Sequence, residues 1–248
     1  MKKNTKKKVL ALALIIALLA IAVVGGSLAW YTTEDTATNV ITMGSIEVRQ
    51  LETGKDGQSF ENGQVLLPVL SETNVEQDPN FRYKRITVEN TAGNAAYVRV
   101  WVAIPTQLEG YLCLKRPADN GWIPQQPALT GMVDGISYTA YCFVYPTPLE
   151  TDAVTPEVLT GVYLHPSVDL RENAVGNLEF CKSDNGAYTF SGFEVASSNG
   201  TLLNAIEVLA VTQAVQAAHF EDAQSALNTA FGAPDLNTAF PFGNQSNP

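Results

Sequence analysis

Between Val9 and Val24 the chain carries only apolar residues, whereas beyond residue 45 apolar positions recur in short, punctuated, often alternating runs. The first pattern predicts an apolar helix and the second predicts β-strands. Ile46-Glu47-Val48 alternates, and Arg82 to Val88 alternates through Tyr83, Ile86 and Val88 with one slip. Successive side chains of a strand point to opposite sides. Tyr97 to Ile104 therefore places Val98, Val100, Val102 and Ile104 on one face and Tyr97, Arg99 and Trp101 on the other. The stretch Asn90-Thr91-Ala92-Gly93-Asn94 between these two runs predicts a hairpin loop.

Later segments extend the β pattern. Ser137 to Tyr145 is an aromatic and β-branched run stopped by Pro146 and Pro148, which cannot donate to a ladder. Strands are also predicted over Glu157 to Leu164, Leu178 to Phe180 and Ala187 to Phe193, the last two separated by a turn at Asp184-Asn185-Gly186. Arg116 to Thr130, rich in Pro, Gly and Asn, is expected as loop. From Leu202 the pattern predicts a strand through about Val215, then a short helix from Glu221 to Phe231 with acids in its first turn and Gly232 as C-cap. One long helix over the same segment is the alternative. Residues 233–248 are expected as a loose tail. Many short strands between turn signals indicate a mainly β fold, a jelly-roll-like antiparallel β-sandwich with a short C-terminal helix.

Charge changes the picture at the N-terminus. Lys2, Lys3, Lys6, Lys7 and Lys8 flank the apolar run, which is the layout of a signal helix. Gly25 and Gly26 then break the helix, and Ser27 and Ala29 offer the small residues that a signal peptidase accepts, so that Trp30 becomes the new N-terminus. An uncleaved membrane anchor is the alternative, since the run approaches the roughly 20 residues a spanning helix needs. The expected organisation is a signal peptide over 1–29, an extended segment over 30–45, the sandwich over 46–232 and the tail. Cleavage removes five lysines and no acid from a chain of formal net charge −10, leaving −15. Such a surface excludes nucleic acid as a partner and confines membrane contact to the leader before cleavage.

The stretch GGSLAWYTTEDTATNVITMGSIEV resembles the start of the TasA/camelysin family of exported Gram-positive proteins. Matching positions are Gly25, Gly26, Ser27, Ala29, Tyr31, Asp35, Asn39, Ile41, Gly44, Ile46 and Val48, with Ser for Thr at Ser27 and Tyr for Phe at Tyr31. Phe81 to Ile104 and Ala210 to Gly232 are similar to later family segments. The resemblance implies processing by a dedicated SipW-type signal peptidase, a jelly roll, and a role as a matrix or fibre subunit. It also implies self-assembly, in which the released N-terminal segment of one subunit pairs as a strand with the next. Here the donor is Trp30 to Thr42, including Tyr31 and Asp35, with Thr32, Thr36, Thr38, Val40 and Thr42 on one face and Ala37, Asn39 and Ile41 on the other. The segment as the first strand of its own sheet, or as a flexible tail, is the alternative.

Candidate chemistry is sparse. Some family members are described as metallopeptidases, but this chain has only His165 and His219 and no H-E-x-x-H. His165 with Asp169, or His219 with Glu221 and Asp222, are the remaining metal-ligating combinations. Neither a nucleophile elbow nor a P-loop nor G-x-G-x-x-G occurs, so no enzyme activity and no cofactor are expected, with a camelysin-like metallopeptidase as the less favoured alternative that the resemblance leaves open. Trp122, Tyr138 and Tyr141 are candidate stacking residues for a sugar or peptide in a secreted, monomeric binding domain, with core packing as the alternative. Cys113, Cys142 and Cys181 are odd in number and are expected chiefly as small core residues, with at most one disulfide among them.

Overall fold

Residues Ala96 to Pro105 form a strand buried at all ten positions, which requires cover on both faces. The computed structural model describes residues 40–43, 46–61, 63–64, 66–235 and 237–243 and places this strand, β4 (Ala96–Pro105), inside the largest of three sheets. Its order is β1 (Val40–Met43), β13 (Leu209–Gln216), β4, β8 (Ile136–Leu149) and β6 (Ile123–Pro124), with β7 (Leu129–Val133) also on β8. A second sheet has the order β2 (Val48–Thr53), β3 (Arg82–Asn90), β9 (Leu159–Leu164) and β5 (Leu112–Lys115). The third is β10 (Val168–Glu172), β11 (Leu178–Asp184) and β12 (Ala187–Ala196). Among these strands pairing is antiparallel except where β1 lies parallel to β13. The chain is thus mainly β, with one short C-terminal helix, α1 (Ala223–Phe231).

The expected faces of β4 are the ones observed. Val98, Val100, Val102 and Ile104 share a core cluster with Val48, Ile86, Val88, Leu159 and Leu164 of the second sheet, and Val168 and Phe180 of the third join it. Tyr97 and Trp101 pack with Tyr138, Val144, Val211 and the helix residues Ala226 and Leu227. In the third sheet, β11 and β12 meet across Asn185 and Gly186, whose φ values of 49° and 84° are the pair that a two-residue hairpin turn requires.

The predicted hairpin between β3 and β4 does not form. β3 pairs with β2 and β9, whereas β4 pairs with β13 and β8, so residues 91–95 cross from one sheet to another. β3 is buried at alternate positions and β4 at every one, which places them in different environments despite their short connection. Asn90 holds the crossing, its Nδ2 donating to the carbonyls of Leu149 at 2.8 Å and Asn94 at 2.9 Å.

Other boundaries shift for local reasons. β8 runs through Pro146 and Pro148 to Leu149, because the ladder with β4 changes register between Ala96 and Val98 and a missing N–H is tolerated at such an irregularity. The expected loop at Arg116 to Thr130 contains β6 and the start of β7, and β9 begins at Leu159 rather than Glu157. Past residue 202 the strand begins only at Leu209, and a helix follows it, so the single long helix is excluded. Glu221 and Asp222 precede the helix instead of occupying its first turn. Asp222 is the N-cap, accepting from the Ser225 N–H at 2.8 Å, and Gly232 is the C-cap. Asp222→Ala is expected to cost about 1 kcal/mol, read from the shift of a urea unfolding midpoint.

Within the segment expected as a loose tail, Phe240 and Phe242 pack against the cluster under the helix, their rings 5.6 Å apart. Apolar area at two aromatic rings outweighs the absence of regular structure. The contact is close enough that a Cβ at Gly131 would lie 2.3 Å from Phe240.

Candidate functional site

β13 has the sequence LAVTQAVQ, with two consecutive polar residues, Thr212 and Gln213, buried at its centre. Adjacent strand residues point to opposite faces, so each must find a partner in a different layer. On one face Thr212 Oγ1 donates to Gln50 Oε1 at 2.7 Å, tying β13 to β2 of the second sheet. On the other, Gln213 Oε1 accepts from Arg99 Nε at 2.6 Å and Trp101 Nε1 at 3.0 Å. These bonds pin the register of β13, since a one-residue slip would exchange both faces.

Arg99 is fully buried in the middle of β4. Its guanidinium lies 5.6 Å from the Trp101 ring and 5.5 Å from the Phe231 ring, and its Nη1 donates to the Gly232 carbonyl at 2.9 Å. A cation at this carbonyl complements the negative end of the helix. Desolvation lowers its pKa from the usual arginine value, an effect opposed by the neighbouring Cys142. Cys142 is pushed up to about 12 by burial, against the pull of Arg99.

Outside this anchored strand lies the N-terminal segment. Val40, Ile41, Thr42 and Met43 pair in parallel with Thr212, Gln213, Ala214 and Val215. Among the described residues, the edge of β13 therefore receives part of the expected donor segment from its own chain. Ile41 is the donor-segment residue placed there, opposite Gln213. Tyr31, Asp35, Ala37 and Asn39 lie outside the described residues, as do the signal helix and the cleavage positions Ser27, Ala29 and Trp30.

Compared with known proteins, the chain matches no family model and no curated protein.

The metal-ligating combinations do not assemble. His165 Nδ1 is 2.7 Å from Ser167 Oγ and its Nε2 is 3.5 Å from Glu72, while Asp169 pairs with Arg171. His219 lies at positive φ between β13 and the helix, whose cap is Asp222. Among the described residues there is no group of three or more His, Cys, Asp or Glu side chains able to hold a metal. The three candidate stacking residues are buried or half-buried. Trp122 and Tyr138 are buried, Trp122 Nε1 donating to the Pro156 carbonyl at 2.9 Å. Tyr141 is half-buried and donates to Glu109 at 2.7 Å. Burial raises the Tyr138 phenol to about 12, with Glu207 and Asp134 adding to the shift. Exposed aromatics occur instead on β12, at Tyr188 and Phe190. Cys113, Cys142 and Cys181 are free thiols, the last two buried.

Several residues that organise this region were missed from the sequence. Gln50, Glu52, Lys84, Thr212 and Gln213 are polar, and nothing in their spacing matches a known motif. One signal was present: Lys84, and not Tyr83, is in phase with Ile86 and Val88. The structure buries Lys84 on that face. The slip in the alternation of β3 was a buried lysine.

Proposed function

We propose that this chain is an exported structural protein of the cell surface or extracellular matrix, a fibre subunit built on a jelly-roll-like β-sandwich. A dedicated signal peptidase frees its N-terminal segment at Trp30, and assembly proceeds by donation of that segment to another subunit. The observation that carries this reading is the pairing of Val40–Met43 with the edge of β13. Among the described residues four form this ladder, and the same hydrogen bonds can be made by the equivalent segment of a second copy. The strand-forming character of Trp30 to Thr42, and the resemblance of residues 25–48 to exported fibre-forming proteins, support donation of the segment between molecules. A core shared between two sheets supports the sandwich.

The same pairing within one chain favours a second reading, a secreted monomeric domain whose first strand is β1. The two separate in one experiment. Protein beginning at Trp30 is expected to form filaments in electron micrographs, while protein beginning at Met43 is expected to remain monomeric by size-exclusion chromatography. If the longer form stays monomeric across protein concentration, pH and salt, the fibre reading fails and the monomeric domain stands. No catalysis belongs to either reading, and chelator-sensitive cleavage of casein by the purified protein would overturn both.

A further inference from the structure

The connection from β5 in the second sheet to β6 in the first folds around an open cleft of about 480 Å³, a size that suits a small organic molecule. Asp119 and Gly121 hold positive φ of 52° and 76°, and Asn120 between them donates through Nδ2 to the Glu157 carbonyl at 2.6 Å, which pins the loop. Trp122 follows, its Nε1 spent on the Pro156 carbonyl and its ring 5.2 Å from that of Tyr145. Pro117, Trp122 and Ile123 give the cleft an apolar side, with Ile123 48% exposed.

One cation lines this cleft, Arg116, whose guanidinium stacks over the Phe143 ring at 4.2 Å. Its Nη2 donates to the Trp122 carbonyl at 3.2 Å and to Asn120 Oδ1 at 3.4 Å. Nε is buried without a partner, and among the described residues nothing accepts from Nη1. Among those residues no carboxylate lies within ion-pair distance of Arg116 either, whereas Arg49, Lys84, Arg85 and Arg171 each have one. Glu157, whose carbonyl holds Asn120, spends its carboxylate on Arg85 at 3.3 Å. Desolvation lowers the Arg116 pKa from the usual arginine value, with no neighbouring charge opposing it. Buried donors are almost always satisfied, and a partly desolvated cation is costly without a counter-charge. A fixed, planar cation beside an apolar wall, with donors to spare and no anion, is half of a binding site.

We propose that this cleft binds a carboxylate carried on a small apolar or aromatic body, with Arg116 as its counter-ion. The carboxylate accepts from Nη1, and the body lies against Pro117, Trp122 and Ile123. Charge on a guanidinium is shared by its three nitrogens, so an anion at Nη1 also relieves the unpaired Nε. A peptide C-terminus that ends in an apolar residue and a free aryl acid share this chemistry. Asp119, the other charged residue of the lining, is exposed and repels such a ligand, so it limits the affinity. β6 lies at the opposite end of the first sheet from β1, and the site stands whether or not the chain assembles by strand donation.

Isothermal titration of the folded full-length chain tests this with three probes at fixed ionic strength: N-acetylglycylphenylalanine, its C-terminal amide, and 3-phenylpropionate. Saturable binding of an acid is expected, with the amide about 10-fold weaker or more than the peptide acid. Binding of the peptide acid alone assigns the site to peptide C-termini, and binding of phenylpropionate assigns it to free acids. Arg116→Gln is expected to abolish the preference for acid over amide. Asp119→Asn, suited to the left-handed backbone there, is expected to tighten the acid about 3-fold by removing a like charge. Absence of saturable binding of either acid up to about 10 mM would overturn the proposal, as would equal affinities for the peptide acid and its amide. So would unchanged acid affinity in Arg116→Gln protein whose fold is verified by circular dichroism. Should that variant not fold, the comparison of acid with amide on the unsubstituted chain still decides.

Discussion

Arg99→Ala is expected to destabilise the protein by about 4 kcal/mol, within the range for removing a large, fully buried side chain and its hydrogen bonds. Arg99 sits in the central strand of the largest sheet, and it is fully buried. Truncation leaves a cavity between the rings of Trp101 and Phe231, removes one of two donors to Gln213 and strips the Gly232 carbonyl of a charged donor. Size and charge separate by substitution. Arg99→Met keeps most of the volume and removes the desolvated cation, so its cost is expected to be about half or less. Arg99→Lys keeps the charge but lacks the planar fork that reaches Gln213 and Gly232 together, and is expected to fall between the two. Guanidinium unfolding of the three variants measures the order. Equal losses for alanine and methionine would mean that the hydrogen bonds, and not the packing, carry the effect.

Gly161→Ala is expected to cost about 3 kcal/mol, the upper part of the range for overpacking. Gly161 lies in β9 opposite Tyr83 of β3 and Lys115 of β5. A Cβ there would stand 2.3 Å from the Arg82 carbonyl oxygen and 2.6 Å from the Phe81 ring. A flexible side chain could move aside, but a carbonyl oxygen moves only with its strand. The expected consequence is loss of the β3–β9 ladder, seen as lower hydrogen-exchange protection at Arg82 to Ile86 and a lower melting temperature. Gly93→Ala serves as the control, since nothing lies within 4 Å of its Cβ position, and it is expected to stay within about 0.5 kcal/mol of the unsubstituted chain.

Arg99 was half visible before the structure, and Gly161 was not. The alternation from Tyr97 to Ile104 places Arg99 with Tyr97 and Trp101 on one face, as observed, but a face is not yet a depth. That face became core because a helix covers it, and the helix arrives from more than a hundred residues away. Gly161 carries no local signal at all, because its need to lack a side chain arises from Arg82 and Phe81 on the neighbouring strand.

Polar residues in core phase follow the same rule. Lys84 interrupts an apolar alternation, and such an interruption suggests exposure when the strand is considered alone. Its actual setting is set by Glu52, Gln50 and Thr212, which come from two other strands in two sheets. At the candidate site the sequence marks Val40 and Thr42 as strand-forming, but that β1 joins β13 is read only from the structure. A strand that receives another is defined by its uncovered edge, a property of the assembled sheet.

By itself the sequence determined what depends on neighbours within a few residues. That includes the two faces of β4, the Asn185-Gly186 turn, the helix with Gly232 at its C-cap, and the mainly β class. Side-chain period, positive φ and capping chemistry are written in consecutive residues. Tertiary structure alone decided which strands share a sheet, that Asn90 to Asn94 crosses between sheets, that Phe240 and Phe242 pack, and that Gln50, Glu52 and Lys84 meet under Thr212. Each of those depends on contacts between distant segments, whose closure is governed by the burial and hydrogen bonding of the whole fold rather than by any local pattern.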